Sequence, residues 1–130
     1  MQRMFLVLVA SAAALTSFAT PPVEAASKKI DQTQCFRPRQ MVNWMSDDDR
    51  NIYLKLNNGA VFQVALANDC PGLTTYRLLS FDPDFGDKMC NDRSGAVVSR
   101  SGAGPLRCPV KSVRALSAQE AQALPDKQRP

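Results

Sequence analysis

With 130 residues, a net charge of +4 and no histidine, the chain can bury one core and lacks the side chain used by most acid–base catalysts, nucleophilic triads and zinc sites. Its basic residues are scattered, with no run interleaved with aromatics, so composition argues against nucleic-acid binding and for a solvated surface suited to anionic partners. Four cysteines, an even number, fit two disulfides in an oxidising compartment.

Gln2 and Arg3 precede Met4–Leu15, an apolar run broken only by Ser11, and Val23-Glu24-Ala25 offers tolerated residues at the positions a signal peptidase reads. An export signal over residues 1–25, cleaved after Ala25, is therefore expected. The run is shorter than the roughly 18 residues of a membrane span, so none is expected in the mature chain. No cysteine directly follows it to carry a lipid. Arg3 and Glu24 leave together, which preserves the net charge. Residues 26–34 read as a flexible lead-in, 35–124 as a single β domain and 125–130 as a disordered tail.

Pro38 argues against a regular strand just after Cys35. Met41–Met45 predicts a short strand, with Met41, Asn43 and Met45 opposite Val42 and Trp44. Ser46-Asp47-Asp48-Asp49-Arg50 is turn chemistry, because Ser and Asp side chains bond to nearby amides. The most legible stretch follows. Asn51–Asn57 and Ala60–Leu66 alternate with period two and are joined by Asn58-Gly59, the signature of a type I′ hairpin. Ile52, Leu54 and Leu56 share one face, as do Phe62, Val64 and Leu66.

Thr74–Phe81 predicts a further strand, though it alternates over only half its length. Asp82–Asp87 has loop composition. Ala96–Arg100 and Arg107–Arg114 predict two strands joined by Ser101–Gly104. Ser117 with Glu120 is a capping-box pattern, which predicts a short helix ending before Pro125. These elements define a mainly β fold, a small disulfide-stapled antiparallel sandwich or barrel with a short C-terminal helix. For the bridges, Cys35–Cys70 with Cys90–Cys108 is favoured slightly over Cys35–Cys108 with Cys70–Cys90.

Few residues point to chemistry. Asp47, Asp48 and Asp49 could bind a hard cation, but consecutive residues of an extended chain face different sides, and an acidic turn paired with Arg50 is the better reading. Asp82, Asp84, Asp87 and Asp92 superficially suggest a calcium loop. Gly86 stands at one ligand position, however, and Arg93 where the bidentate glutamate belongs. No catalytic residue, metal ligand or cofactor is expected. The aromatics Trp44, Tyr53, Phe62 and Tyr76 read as packing residues.

Cys35-Phe36-Arg37, Trp44, Asp48-Asp49-Arg50, Ile52-Tyr53-Leu54, Phe62–Leu66, Cys70 and Leu73 form one half of a recognisable pattern. Met89-Cys90, Val97–Arg100, Arg107–Val110, Ala115-Leu116-Ser117 and Glu120 form the other. Together they resemble an uncharacterised domain-of-unknown-function family of small exported four-cysteine bacterial proteins. That resemblance implies an envelope location and a shared fold, and it supplies no catalytic residues. The expected function is a non-enzymatic binding or accessory module of the envelope, for instance an inhibitor of an envelope hydrolase. Its partner would be an envelope protein or an anionic envelope component, met by a surface of Asp47, Asp48, Asp49, Arg50, Asp82, Asp84 and Asp87. The alternative is an aspartate-based or metal-dependent hydrolase.

Overall fold

The computed structural model describes residues 34–91 and 95–130. The expected export signal and residues 26–33 of the lead-in lie outside them, as do Asp92 and Arg93. Gln34 does not dangle: its side-chain oxygen accepts from the Ala115 amide at 2.6 Å.

Among the described residues, eight strands form two antiparallel sheets. β1 (Cys35–Phe36) pairs with β6 (Met89–Cys90). The remaining strands are β2 (Met41–Met45), β3 (Asn51–Leu56), β4 (Val61–Leu66), β5 (Ser80–Pro83), β7 (Gly95–Ser101) and β8 (Gly104–Leu116). They form a six-stranded sheet in the order β2-β3-β4-β8-β7-β5, curled into a half-barrel. A helical turn α1 (Leu73–Tyr76) follows β4, and helix α2 (Ala118–Gln122) closes the chain. The mainly β, disulfide-bonded fold with a short C-terminal helix is thus the one the sequence predicts. Ser117 caps α2 and exchanges both capping-box hydrogen bonds with Glu120.

The hairpin shows how packing sets register. A two-residue Asn58-Gly59 turn would pair Leu54 with Gln63 and place the two apolar sets on opposite faces. Instead Leu54 pairs with Phe62 and Ile52 with Val64. The loop therefore holds three residues, Asn57, Asn58 and Gly59, closed by Leu56 and Ala60. Of the three only Gly59 has a positive φ, +87°, as in a type I turn with a glycine bulge. Asn58 Oδ1 accepts from the Ala60 amide at 3.0 Å.

β2 carries a similar shift. Val42 is an extra residue in its pairing with β3, so Met41 and Trp44 both pack against the core rather than on opposite faces. The strand expected over Thr74–Phe81 is split into α1 and β5. Leu73 is fully buried, and Arg77 adopts a left-handed conformation at φ 51° that ends the helical turn. Asp82 and Pro83 belong to β5 rather than to the following loop.

The curled sheet buries Ile52, Leu54, Phe62, Val64, Leu66, Val97 and Val113 on its core face. Phe36 of β1 inserts into this core, its ring 5.4 Å from that of Phe62 and 5.2 Å, edge-on, from that of Phe81. β7 pairs with β8 only as far as Pro109, while β8 runs on to Leu116. Beyond that point Gln34 and Asn91, which flank the β1–β6 ladder, accept from the amides of Ala115 and Val113. Side-chain amides thus cover an edge that would otherwise stay open.

The disulfides are Cys35–Cys90 and Cys70–Cys108, so neither expected pairing is correct. Each expectation joined at least one pair of cysteines adjacent in the sequence order. Cys90 instead leaves the large sheet on β6 and pairs directly opposite Cys35. β8 lies beside β4, which brings Cys108 to the corner where Cys70 sits. The bridges close loops of sequence separation 55 and 38, each contributing about 4 kcal/mol on the chain-entropy model.

Non-reducing peptide mapping is expected to recover only Cys35–Cys90 and Cys70–Cys108. Phe36→Ala is expected to destabilise the fold by about 3–5 kcal/mol in urea unfolding, because it empties the space between two aromatic rings.

Candidate functional site

The residues expected to form a binding surface are held in internal contacts. On the β2–β3 turn, Ser46 Oγ donates to the carbonyls of Asp48 and Asn51. Asp48 Oδ1 accepts from the amides of Arg50 and Asn51 at 2.8 and 2.5 Å. Burial pushes the Asp48 carboxyl up, but the hydrogen bonds from Asn51 and Arg50 together outweigh it and its pKa is lowered. Asp49 accepts from Thr74 Oγ1 at 3.3 Å, and Arg50 pairs with Asp69 at 2.7 Å. Asp47 accepts from Gln128 Nε2 at 2.9 Å. At the C-terminal end Arg129 also donates to the carbonyls of Gln122 and Leu124.

The second group is paired likewise. Asp82 and Asp84 share Arg107, at 3.0 and 3.3 Å, while Asp87 meets Arg37 at 3.1 Å and Arg39 at 3.4 Å. Hydrogen bonding to Asp82, ahead of that to Asp84, raises the Arg107 pKa. The two groups belong to different parts of the sheet, the β2–β3 turn and the β5 edge, and no polar contact joins them among the described residues. Every carboxylate among those residues has a polar partner. No three cysteine, aspartate or glutamate side chains among them are arranged to hold a metal ion.

An open groove with a cavity volume of about 390 Å³ lies where the α1–β5 connection meets β7 and β8. Leu78, Leu79, Val98 and Pro105 supply apolar walls, and Ser80 and Arg100 supply polar ones. Tyr76 and Leu78, 46% and 52% exposed, stand beside it. Gly72 makes this corner possible. At φ +100° it lets α1 approach the Arg100 carbonyl so closely that a Cβ there would collide with the oxygen. Sequence reasoning misses the groove because its walls come from three separate segments. The broken alternation of Thr74–Phe81 is the local signal for it.

The opposite face of the central strands carries a polar row. Tyr53, Gln63 and Arg114 are register neighbours. Arg114 bonds to Gln63 Oε1 at 2.9 Å and to Glu120 at 2.8 Å, tying α2 to the sheet. Burial first, and then the charges of Asp47 and Asp48, raise the Tyr53 pKa. A second concavity, about 420 Å³, lies between Lys55, Val61, Ala118, Ala121 and Arg129.

These features define a disulfide-stapled antiparallel half-barrel whose described side-chain carboxylates all have polar partners and which carries an open apolar groove with Arg100 on its wall. A family model described as a family of unknown function (DUF6491) matches residues 1–130, and the chain belongs to that family. No curated protein and no solved structure matches it. Family membership brings no residue role with it.

The Ser117 backbone hydrogen bond, followed by Arg114, lowers the Glu120 pKa from 4.5 to about 2. This carboxylate therefore supports α2 fully above pH 4.5, and the support is lost as pH falls through about 2. The Ser117 amide resonance is expected to titrate with a midpoint near 2, moving up toward 4.5 in Arg114→Ala. A wild-type midpoint at the ordinary glutamate value would contradict the cap geometry.

Proposed function

We propose that the protein is an exported, non-catalytic binding or accessory module of the cell envelope, and that the groove at Leu78 and Arg100 is its working surface. The observation that carries this reading is an open apolar concavity on a twice cross-linked sheet whose described side-chain carboxylates are all partnered. A rigid scaffold that presents loop residues suits recognition. Two disulfides fit an oxidising compartment, and the leader-like first 25 residues fit export. Among the described residues no helix is long and apolar enough to cross a membrane. Inhibition of an envelope hydrolase is one role of this kind. The alternative, an aspartate-based or metal-dependent hydrolase, needs a carboxylate freed for catalysis or metal binding, and Arg107, Arg37 and Arg39 already engage the acids it would use.

Expression of the full chain in a bacterial host is expected to yield periplasmic protein that begins at Ala26 and has no free thiol before reduction. Cytoplasmic, uncleaved protein with all cysteines free would refute export. Calcium or magnesium is expected to leave Tm unchanged; a rise that disappears when Asp82, Asp84 and Asp87 are neutralised together would revive the metal reading.

A further inference from the structure

We infer that the groove receives an extended segment of a partner protein in which an apolar side chain is flanked by acidic ones. This deepens the binding reading above and rests on it. The first observation is a contrast among the arginines. Arg37, Arg39, Arg50, Arg107, Arg114 and Arg129 each meet a carboxylate. Arg77 and Arg100 meet none among the described residues; Arg77 donates to Met45 Sδ at 3.3 Å, while Arg100 is exposed and lines the groove. A surface that pairs its other groove-side and edge arginines with carboxylates leaves Arg100 without one on the wall of this apolar groove. Charge complementarity therefore selects an anionic partner.

The second observation is that the chain bears conformational cost at this corner. Arg77 is the only non-glycine residue with positive φ among those described. Gly72 is held against the Arg100 carbonyl, which fastens α1 to β7. Tyr76 reaches over the β7–β8 turn, where a Cβ on Gly102 would lie 3.6 Å from its hydroxyl. Strain of this kind persists where the surrounding structure holds a surface in place.

The third observation concerns the shape and chemistry of the patch. The groove is open to solvent rather than enclosed, which suits one side chain of a passing chain better than a fully surrounded acyl tail. Tyr76, Leu78 and Arg100 present an aromatic ring, an aliphatic anchor and a guanidinium together. Tyrosine and arginine are the residue types that dominate protein contacts, whereas leucine supplies the apolar wall. The apolar side chain of the partner sits between Leu78, Val98 and Pro105, and a neighbouring carboxylate meets Arg100.

The test is an amide-resonance titration of the disulfide-bonded mature chain with three probes. These are a synthetic peptide of leucine flanked by aspartates, the same peptide with lysines, and sodium oleate. The aspartate peptide is expected to shift Leu78, Leu79, Val98 and Arg100, and the lysine peptide to leave them unmoved. Arg100→Gln is expected to weaken binding about fivefold while Tm holds, and Lys111→Glu to change nothing. Equal binding of both peptides, no binding of either, or shifts from oleate alone would overturn the inference. A photo-crosslinking residue placed in cells at Leu78, and separately at Val42, Lys55 and Phe85, separates this from the broader reading. A protein adduct formed from Leu78 alone, together with the aspartate-peptide shifts at the groove, supports both. Adducts only from other positions keep the binding module and overturn the groove; no adduct from any position overturns both.

Discussion

The backbone pairing of β8 with β4 on one side and β7 on the other is the constraint on which the rest of this structure depends. β4 ends at Leu66 and β8 begins at Gly104, so the ladder joins segments far apart in sequence. Closing that loop costs chain entropy before any contact repays it. The Cys70–Cys108 bridge sits where the cost is incurred and removes part of it from the unfolded chain. Once β8 is in place, its C-terminal half extends past β7 and exposes amides. Gln34 and Asn91 answer them, which draws the β1–β6 ladder in and sets Phe36 against Phe62 and Phe81. The Cys35–Cys90 bridge then locks that ladder.

The same placement creates the groove. β4 must cross the width of β8 and β7 to reach the far edge at β5, and α1 with Leu78 and Leu79 forms that crossing. Apolar residues on a crossing have only a partial surface beneath them. Leu73 and Leu79 reach the core while Tyr76 and Leu78 remain outside. The exposed pair therefore follows from topology, and Arg100, which meets no carboxylate among the described residues, adds a positive charge to it. Exposed ion pairs elsewhere contribute little to stability individually. Their consequence here is that the aspartates are locally neutralised.

Local features were legible in proportion to how much of their physics is local. The Ser117–Glu120 cap needs only four residues and forms as its sequence predicts. Alternation in Asn51–Leu56 and Val61–Leu66 identified both strands and their core faces. The turn between them was misread because Asn-Gly propensity is weaker than the demand that Leu54 face Phe62. In β2 an unsignalled bulge at Val42 reversed the expected facing of Trp44. Thr74–Phe81 was read as one strand because its residues are β-prone, whereas burial of Leu73 favours a helical turn. At the site, the aspartates were conspicuous in sequence but their arginine partners lie up to 50 residues away.

By itself the sequence determined the class: a short, histidine-free, four-cysteine chain with period-two apolar alternation makes a mainly β fold. Those properties follow from composition and from side-chain direction along a strand, and neither depends on distant partners. Only the tertiary structure decided which cysteines meet, which carboxylates are free and where an apolar surface stays open. Each is a question of non-local neighbours, set here by β8 entering the sheet beside β4 rather than following β7 outward.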